Sequence, residues 1–368
     1  MVEDWRLLDL NGLEPLKAQT LYEAVAIAVG RNFVPNTLIL CYPIKPYVCI
    51  GFHQELEKEV DIEFCRRNNL TVIRRSQGGG AVYLDSGQQF YQVVARRNDP
   101  AIPSSVDRCF EKFLQPTIYA YRKLGVPAEY KPINDVVVGS RKLSGNGAGE
   151  FENSVILIGN MILDLDYDSM SRVLRVPDEK FRDKLAKSMR EWVTSLKREL
   201  NRIPERSEIK KLLIEGYEEI GIKLAQGKLT DEEEKIFNIE VQPRHTSKEW
   251  LNLPQFRHPE MMERRIVKVN DSVRAVEANY KAGKMIRVTA EIVSDKIQDI
   301  LISGDFFMTP ENSLPKLEEA LINKSLKRPI LLKEVKEFYE KNKIQVPGVE
   351  PEDFVETIMR AVAEHSNQ

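Results

Sequence analysis

The chain has 368 residues, 42% of them hydrophobic and 30% charged, which is enough apolar surface for a sizeable core and for two domains. Its 54 Lys and Arg against 56 Asp and Glu leave a formal charge of −2, so no global field directs it to nucleic acid or to an anionic membrane, and an anionic ligand must be held by a local cluster. The acidic start Met1-Val2-Glu3-Asp4-Trp5-Arg6 lacks the order of a signal peptide and no apolar run reaches the roughly 20 residues of a bilayer span, which predicts a soluble cytoplasmic protein.

In chain order, helical spacing predicts a helix over residues 16–30, with Thr20 as its cap and Gly30 as its stop. Strands are predicted over 37–42, 48–52, 71–75, 81–84 and 89–94, separated by Pro, Gly and Asn. A helix over 104–124, a hairpin over 135–143 and a long buried strand over 154–165 follow, the last interrupted by Gly159. This is an α+β layout around a mostly antiparallel sheet. Residues 168–226 read as helices with charged, solvated faces that cover one side of that sheet. Proline punctuation between Gln242 and Pro259 predicts a domain boundary near Pro259, dividing the chain into residues 1–258 and 262–368. The second part carries two strands (284–293 and 296–305) and helices over 315–321, 331–341 and 351–363, a smaller α+β domain.

Cys41, Cys49, Cys65 and Cys109 form no CxxC pair and the histidines are scattered, so no protein metal cage is expected and the cysteines read as small buried hydrophobes. The chemistry concentrates in two glycine-rich elements. In Arg74-Arg75-Ser76-Gln77-Gly78-Gly79-Gly80-Ala81-Val82-Tyr83, glycines allow backbone N–H groups to approach an anion while a guanidinium supplies a charge-assisted contact to phosphate. A purely structural triple-glycine hairpin is the alternative. The second element, Asn134-Asp135 through Lys142, Ser144, Gly145 and Ala148, also suits an anionic ligand. It has no Gly-Lys-Ser/Thr of a P-loop, and Glu150 stands where a dinucleotide fingerprint needs glycine.

Together these elements resemble the lipoate-protein ligase A family of the biotin and lipoate ligase superfamily, which carries an Arg-Arg-x-x-Gly-Gly-Gly-Ala-Val turn, an Asn-Asp, a Lys-x-x-Gly-x-Ala segment and a strand glycine, here Gly159, in this order. The likeness covers residues 1–255, and Gly283 to Arg287 with Ile302 to Phe307 resembles the family's accessory C-terminal domain. It implies the fold shared by biotin ligases and class II aminoacyl-tRNA synthetases. It also implies an ATP- and Mg2+-dependent reaction in which lipoate or octanoate is activated as an acyl-adenylate and passed to a lysine of an acceptor. The acceptor would be an E2 lipoyl domain of a 2-oxoacid dehydrogenase, the glycine cleavage H protein or a similar lipoate-binding protein.

By the same resemblance Lys142 is the catalytic cation, stabilising charge on the carbonyl and the phosphate. Arg75 with Gly78, Gly79, Gly80, Ala81, Val82 and Tyr83 holds the phosphate and adenine side, with Arg74 behind them. Asn134 and Asp135 either cap the hairpin or meet the nucleotide and its magnesium. Ser144, Gly145, Ala148 and Gly159 complete the binding set, and Val48, Ile50, Phe52, Val82 and Tyr83 are candidate walls for the acyl tail. His53 is at most a supporting group. The pattern departs from the family at Leu84-Asp85, where relatives have His-Asp, at Gly87-Gln88, where they have Gly-Asn, and at Leu157-Ile158-Gly159-Asn160, where histidines are absent. Rival expectations are an ATP-independent octanoyl or lipoyl transferase with a cysteine nucleophile, a biotin ligase, and a non-catalytic acyl-binding protein.

Overall fold

Residues 4–176, 179–254, 273–310 and 312–364 are described by the structure, a computed structural model. The chain forms two compact units. The first contains Met1–Ile50, Glu57–Arg75 and Ala81–Leu251, and the second contains Gly51–Leu56, Ser76–Gly80 and Asn252–Gln368. The predicted boundary near Pro259 lies outside the described residues.

The strands of the first unit are β1 (Trp5–Leu13), β2 (Thr37–Pro43), β3 (Tyr47–Ile50), β4 (Thr71–Arg74), β5 (Val82–Leu84), β6 (Gln88–Arg96), β7 (Glu129–Lys131), β8 (Asp135–Val138), β9 (Arg141–Ser144), β10 (Asn146–Phe151), β11 (Ser154–Ile162) and β12 (Leu224–Gln226). Six of them make one sheet in the order β10-β11-β6-β2-β1-β12. Its pairs from β10 to β2 are antiparallel, whereas β1 runs parallel to β2 and β12. Smaller sheets join β4-β3-β5 and β7-β8-β9.

Strand alternation sorts the apolar side chains onto two faces. Leu7, Leu38, Leu40, Tyr91, Val93 and Leu157 face one core, shared with the helices Val106–Phe113, Gln115–Lys123 and Arg206–Glu219. Leu8, Ile39, Cys41, Phe90, Val94 and Ile156 face the other, which contains the helix Pro15–Gly30. That helix is buried from Ala18 through Gly30, which explains its nearly unbroken apolar sequence. It starts at Pro15, so Thr20 is not its cap; the Thr20 hydroxyl donates to the Leu16 carbonyl at 2.7 Å instead. The expected helix over 104–124 is two helices meeting at Leu114, with Pro116 in the first turn of the second, where a missing N–H costs nothing. Strand β1, which lies between β2 and β12, and the edge strands β7 and β12 were not signalled by alternation.

A buried polar cluster crosses the second of these cores. Glu23, fully buried on the long helix, faces His245 Nε2 at 2.9 Å and pairs with Arg244. His245 Nδ1 lies 2.9 Å from the Arg74 carbonyl, which also accepts from Trp250 Nε1 at 2.9 Å. The Arg74 guanidinium donates to the Leu251 carbonyl at 2.9 Å.

In the second unit β13 (Val273–Lys281), β14 (Met285–Val293) and β15 (Lys296–Gly304) form an antiparallel sheet. Helices Ser313–Leu321, Arg328–Asn342 and Pro351–Glu364 accompany it, around Val288, Ile302, Phe306, Leu317, Val335 and Phe354. Among the described residues no helix is long and apolar enough to cross a membrane.

Removing one member of a buried ionic cluster strands the others. Glu23→Ala is therefore expected to lower unfolding free energy by about 3 kcal/mol, and Glu23→Gln by less, since the amide still accepts from His245. Denaturant unfolding of the full chain measures both; an unchanged midpoint for Glu23→Ala would show that the cluster does not support the fold.

Candidate active site

Lys142 lies in β9 opposite Val137 of β8, and the diagonal neighbour on that strand is Asp135. The Lys142 Nζ stands 2.5 Å from Asp135 Oδ1, with the two side chains 35% and 30% exposed. Asp135 Oδ1 is shielded from solvent and makes no well-aligned hydrogen bond, so the contact is one of charge more than of direction. The Lys142 carbonyl accepts from Thr194 N–H at 2.9 Å, fixing its backbone while the ammonium stays reachable.

Beyond Lys142 the chain enters a packed amide network. Tyr91 Oη donates to Asn146 Oδ1 at 2.5 Å and lies 3.1 Å from Ser144 Oγ. Asn134 Nδ2 donates to the Asn146 carbonyl at 2.6 Å, and Asn146 Nδ2 returns a bond to the Asn134 carbonyl at 2.8 Å. This reciprocal pair, not an Asx turn, engages the Asn134 amide. Burial pushes the Tyr91 phenol up to about 12, leaving it a neutral donor. A Cβ on Gly159 would lie 2.1 Å from Asn146 Oδ1 and 2.5 Å from Tyr91 Oη, so glycine is required there by the closeness of the network. Ser144 is fully buried, and the Gly145 N–H donates to Asn160 Oδ1 at 2.7 Å. Ala148 is half-buried, opposite Leu157 in the β10–β11 ladder.

Arg74 is fully buried, and its pKa is pushed down to about 9 by burial first and by the neighbouring Arg75 second. It remains a cation at neutral pH. Arg75 Nη1 donates to Cys49 Sγ at 3.5 Å, and the Arg75 N–H to the Ile50 carbonyl at 3.1 Å. Ala81 and Val82 are half-buried and Tyr83 is buried, its phenol raised chiefly by desolvation and then by Asp85. Val48 and Ile50 are fully buried on the strand whose alternate residues, Tyr47 and Cys49, enter the core.

Gly78, Gly79 and Gly80 belong to the second unit. Gly79 has φ +94°, a left-handed conformation suited to glycine. A Cβ on Gly78 would lie 2.0 Å from the Phe306 carbonyl oxygen, and one on Gly51 would lie 1.9 Å from that of Gly79. His53 stacks on Phe306 with centroids 5.0 Å apart, and its carbonyl accepts from Gly304 N–H at 3.0 Å. Glu55 Oε1 accepts from Ser303 Oγ at 2.8 Å, with Arg287 Nη1 3.7 Å away. Sequence reasoning did not single out Tyr91, Thr194 or the Glu55–Ser303 pair, which lie outside the glycine motifs, or Asn146, which lies inside the second one but whose amide partners are set by strand pairing.

Among the described residues no three His, Cys, Asp or Glu side chains converge as metal ligands. All four cysteines are buried. Burial pushes Cys41 up to about 12 and Cys65 and Cys109 to about 11, and raises Cys49 against the opposing pull of Arg75.

Residues 14–218 match the lipoyl protein ligase A/B catalytic domain family and residues 275–358 match the bacterial lipoate protein ligase C-terminus. Lipoate–protein ligase 1 of Staphylococcus aureus is 29% identical over 82% of this chain and 86% of its own. Octanoyltransferase LipM of Kyrpidia tusciae is 30% identical over 68% of this chain and 98% of its own. Among solved structures, a bipartite lipoate protein ligase studied with its E2 lipoyl domain from Thermoplasma acidophilum shares 29% identity with a TM-score of 0.59, covering 68% of this chain and 98% of that one. A lipoate-protein ligase A bound with ATP shares 25% identity with a TM-score of 0.56 over 68% and 98% of the two chains.

The raised thiol values predict that the folded protein resists alkylation. At pH 8 each thiol is neutral, and iodoacetamide is expected to label the cysteines only after unfolding. Stability from neutral burial is complete below the ordinary value of 9.0 and is lost as pH rises through the folded values, so unfolding is promoted above about pH 9. Rapid labelling of one cysteine in the native state would identify a reactive thiol and contradict this.

Proposed function

The chain belongs to the lipoyl protein ligase A/B family, and on that premise we propose that it is an ATP-dependent ligase attaching lipoate or octanoate to a lysine of a lipoyl-acceptor domain. One observation carries the choice of ligase over transferase: the chain continues into a domain matched to the lipoate protein ligase C-terminus, whereas the octanoyltransferase is aligned over 98% of its length to only 68% of this chain. The buried, neutral thiols also argue against a cysteine nucleophile. The ATP-bound ligase among the similar structures supports the nucleotide, and the archaeal ligase studied with its E2 lipoyl domain supports that class of acceptor.

In this reading a carboxylate oxygen of the acyl acid attacks the α-phosphorus of ATP, a P–O bond forms and pyrophosphate leaves. The neutral amine of the acceptor lysine then attacks the acyl carbonyl, the acyl–phosphate bond breaks, and AMP leaves as the amine gives up a proton. Negative charge grows on phosphate oxygens in the first step and on the carbonyl oxygen in the second. Lys142 is the cation assigned to both, released from Asp135 toward the ligand. Asp135 is the carboxylate suited to magnesium, since its shielded Oδ1 has no aligned hydrogen bond and the ion prefers carboxylate and phosphate oxygens. Magnesium, when bound, neutralises the departing pyrophosphate. Arg75 and the backbone from Gly78 to Tyr83 are assigned to the nucleotide, and residues 262–368 to an accessory domain supporting adenylation. A cytoplasmic location agrees with its need for ATP.

The deciding experiment supplies Mg-ATP with lipoate, octanoate or biotin and measures pyrophosphate. Release with lipoate or octanoate is expected, and Lys142→Ala should lower kcat by about 10²–10³-fold. Full activity in Lys142→Ala would remove its assigned role. Acyl transfer from an acyl carrier protein without ATP, abolished by replacing one cysteine, would establish the transferase instead. Binding of the acyl acid with neither activity would mark a non-catalytic acyl-binding protein.

A further inference from the structure

The sheet strands β6 and β11 bring together two side chains that each follow a glycine, Gln88 after Gly87 and Asn160 after Gly159. Gln88 pairs in register with Ile162, so Asn160, two residues back on the antiparallel neighbour, is its diagonal partner on the same face. Asn160 Nδ2 donates to Gln88 Oε1 at 2.5 Å, while Asn160 Oδ1 accepts from Gly145 N–H at 2.7 Å. The Asn160 N–H also donates to the Gly145 carbonyl at 3.3 Å. Gly145 is thus held at both of its backbone polar groups, three residues after Lys142. The two side chains are 1% and 8% exposed, so water competes little for these bonds.

Gln88 is anchored in turn. Arg206 donates to the Gln88 carbonyl at 2.8 Å, to Gln89 Oε1 at 3.1 Å and to the Ser86 carbonyl at 2.7 Å, with its guanidinium 3.7 Å above the Tyr42 ring. An amide has a donor end and an acceptor end. The Gln88 oxygen requires the donor end of Asn160, which leaves the Asn160 oxygen to face Gly145. The positions at which this sequence leaves the family's Gly-Asn and histidine pattern therefore meet in one hydrogen bond.

We propose that Gln88 and Asn160 act as one amide pair that positions the Lys142–Gly145 segment for adenylate formation. They are positioning residues, acting on the reaction through Lys142. The proposal rests on the ligase reading for its kinetic consequence, and on the observed hydrogen bonds for its structural one. Losing the pair loosens the β9–β10 junction at Gly145, which lowers the probability of a productive ammonium position without removing a nucleotide contact.

The test uses the full chain with Asn160→Ala, Gln88→Leu, the double variant, and Gln88→Glu, whose carboxylate retains an acceptor for Asn160 Nδ2. Amide hydrogen exchange of the peptide containing Lys142 to Gly147 is expected to quicken about tenfold in each single loss variant and to remain near wild type in Gln88→Glu. The double variant should add no more than about twofold, since both changes break one unit. In pyrophosphate release, the loss variants should lower kcat about tenfold with KM for ATP within about threefold. If Asn160→Ala does not fold, Gln88→Leu, which keeps a side chain of similar volume, carries the same measurements. Unchanged exchange in the loss variants would overturn the proposal. So would a raised KM for ATP with kcat intact, which would make the pair a nucleotide contact. A wild-type enzyme that releases no pyrophosphate overturns the ligase reading alone, leaving exchange to decide the positioning.

Discussion

The structure of the first unit depends on how Arg74 is held. A guanidinium that is fully buried has lost its water, and the fold tolerates it because its donors meet the Leu251 carbonyl while its own carbonyl is held by His245 and Trp250. Glu23 on the buried helix pairs with the Arg244 guanidinium and lies 2.9 Å from His245 Nε2. The cluster joins the helix Pro15–Gly30, β4 and the segment from Arg244 to Leu251, elements separated by more than two hundred residues of chain from first to last. It therefore fixes the strand end from which the glycine turn departs.

Close approach of backbones is the second constraint, and it gives several glycines a specific reason. Gly159 admits the Tyr91 hydroxyl and the Asn146 amide to one place between β6, β10 and β11. Gly78 and Gly51 admit the carbonyls of Phe306 and Gly79 in the second unit. Only Gly79 of the three consecutive glycines has a left-handed φ. The run that reads as an anion cradle thus also serves packing, and the two uses are compatible because backbone N–H groups remain where side chains are absent.

Much of this architecture was legible. Strands β2, β4, β6 and the β8–β9 hairpin are legible as short β-rich runs between Pro, Gly and Asn, and β2 and β6 are nearly continuously buried because their two faces enter two cores. The accessory strands β14 and β15 are legible by alternation, with Ile286, Val288, Ala290 and Ile292 of β14 in one core. Strand β1 was not, because its buried run Trp5 to Leu8 contains Arg6, whose charge is matched by the distant Glu233 at 2.5 Å. The helix over 104–124 breaks at Leu114, where the chain still has nearly helical angles and no glycine marks the change.

The sequence by itself determined the two glycine-rich elements, their order, the lysine within the second and the family they resemble, because those features are local and depend on residue type and spacing. Tertiary structure decided what each polar side chain is free to do. It engaged Asn134 with Asn146, gave Gly145 to Asn160, set Asp135 beside Lys142, and assigned Ser76–Gly80 to the compact unit containing Phe306. The physical reason is that a buried hydrogen-bonding group must find a partner somewhere, and in a folded sheet that partner is set by strand register and not by distance along the chain.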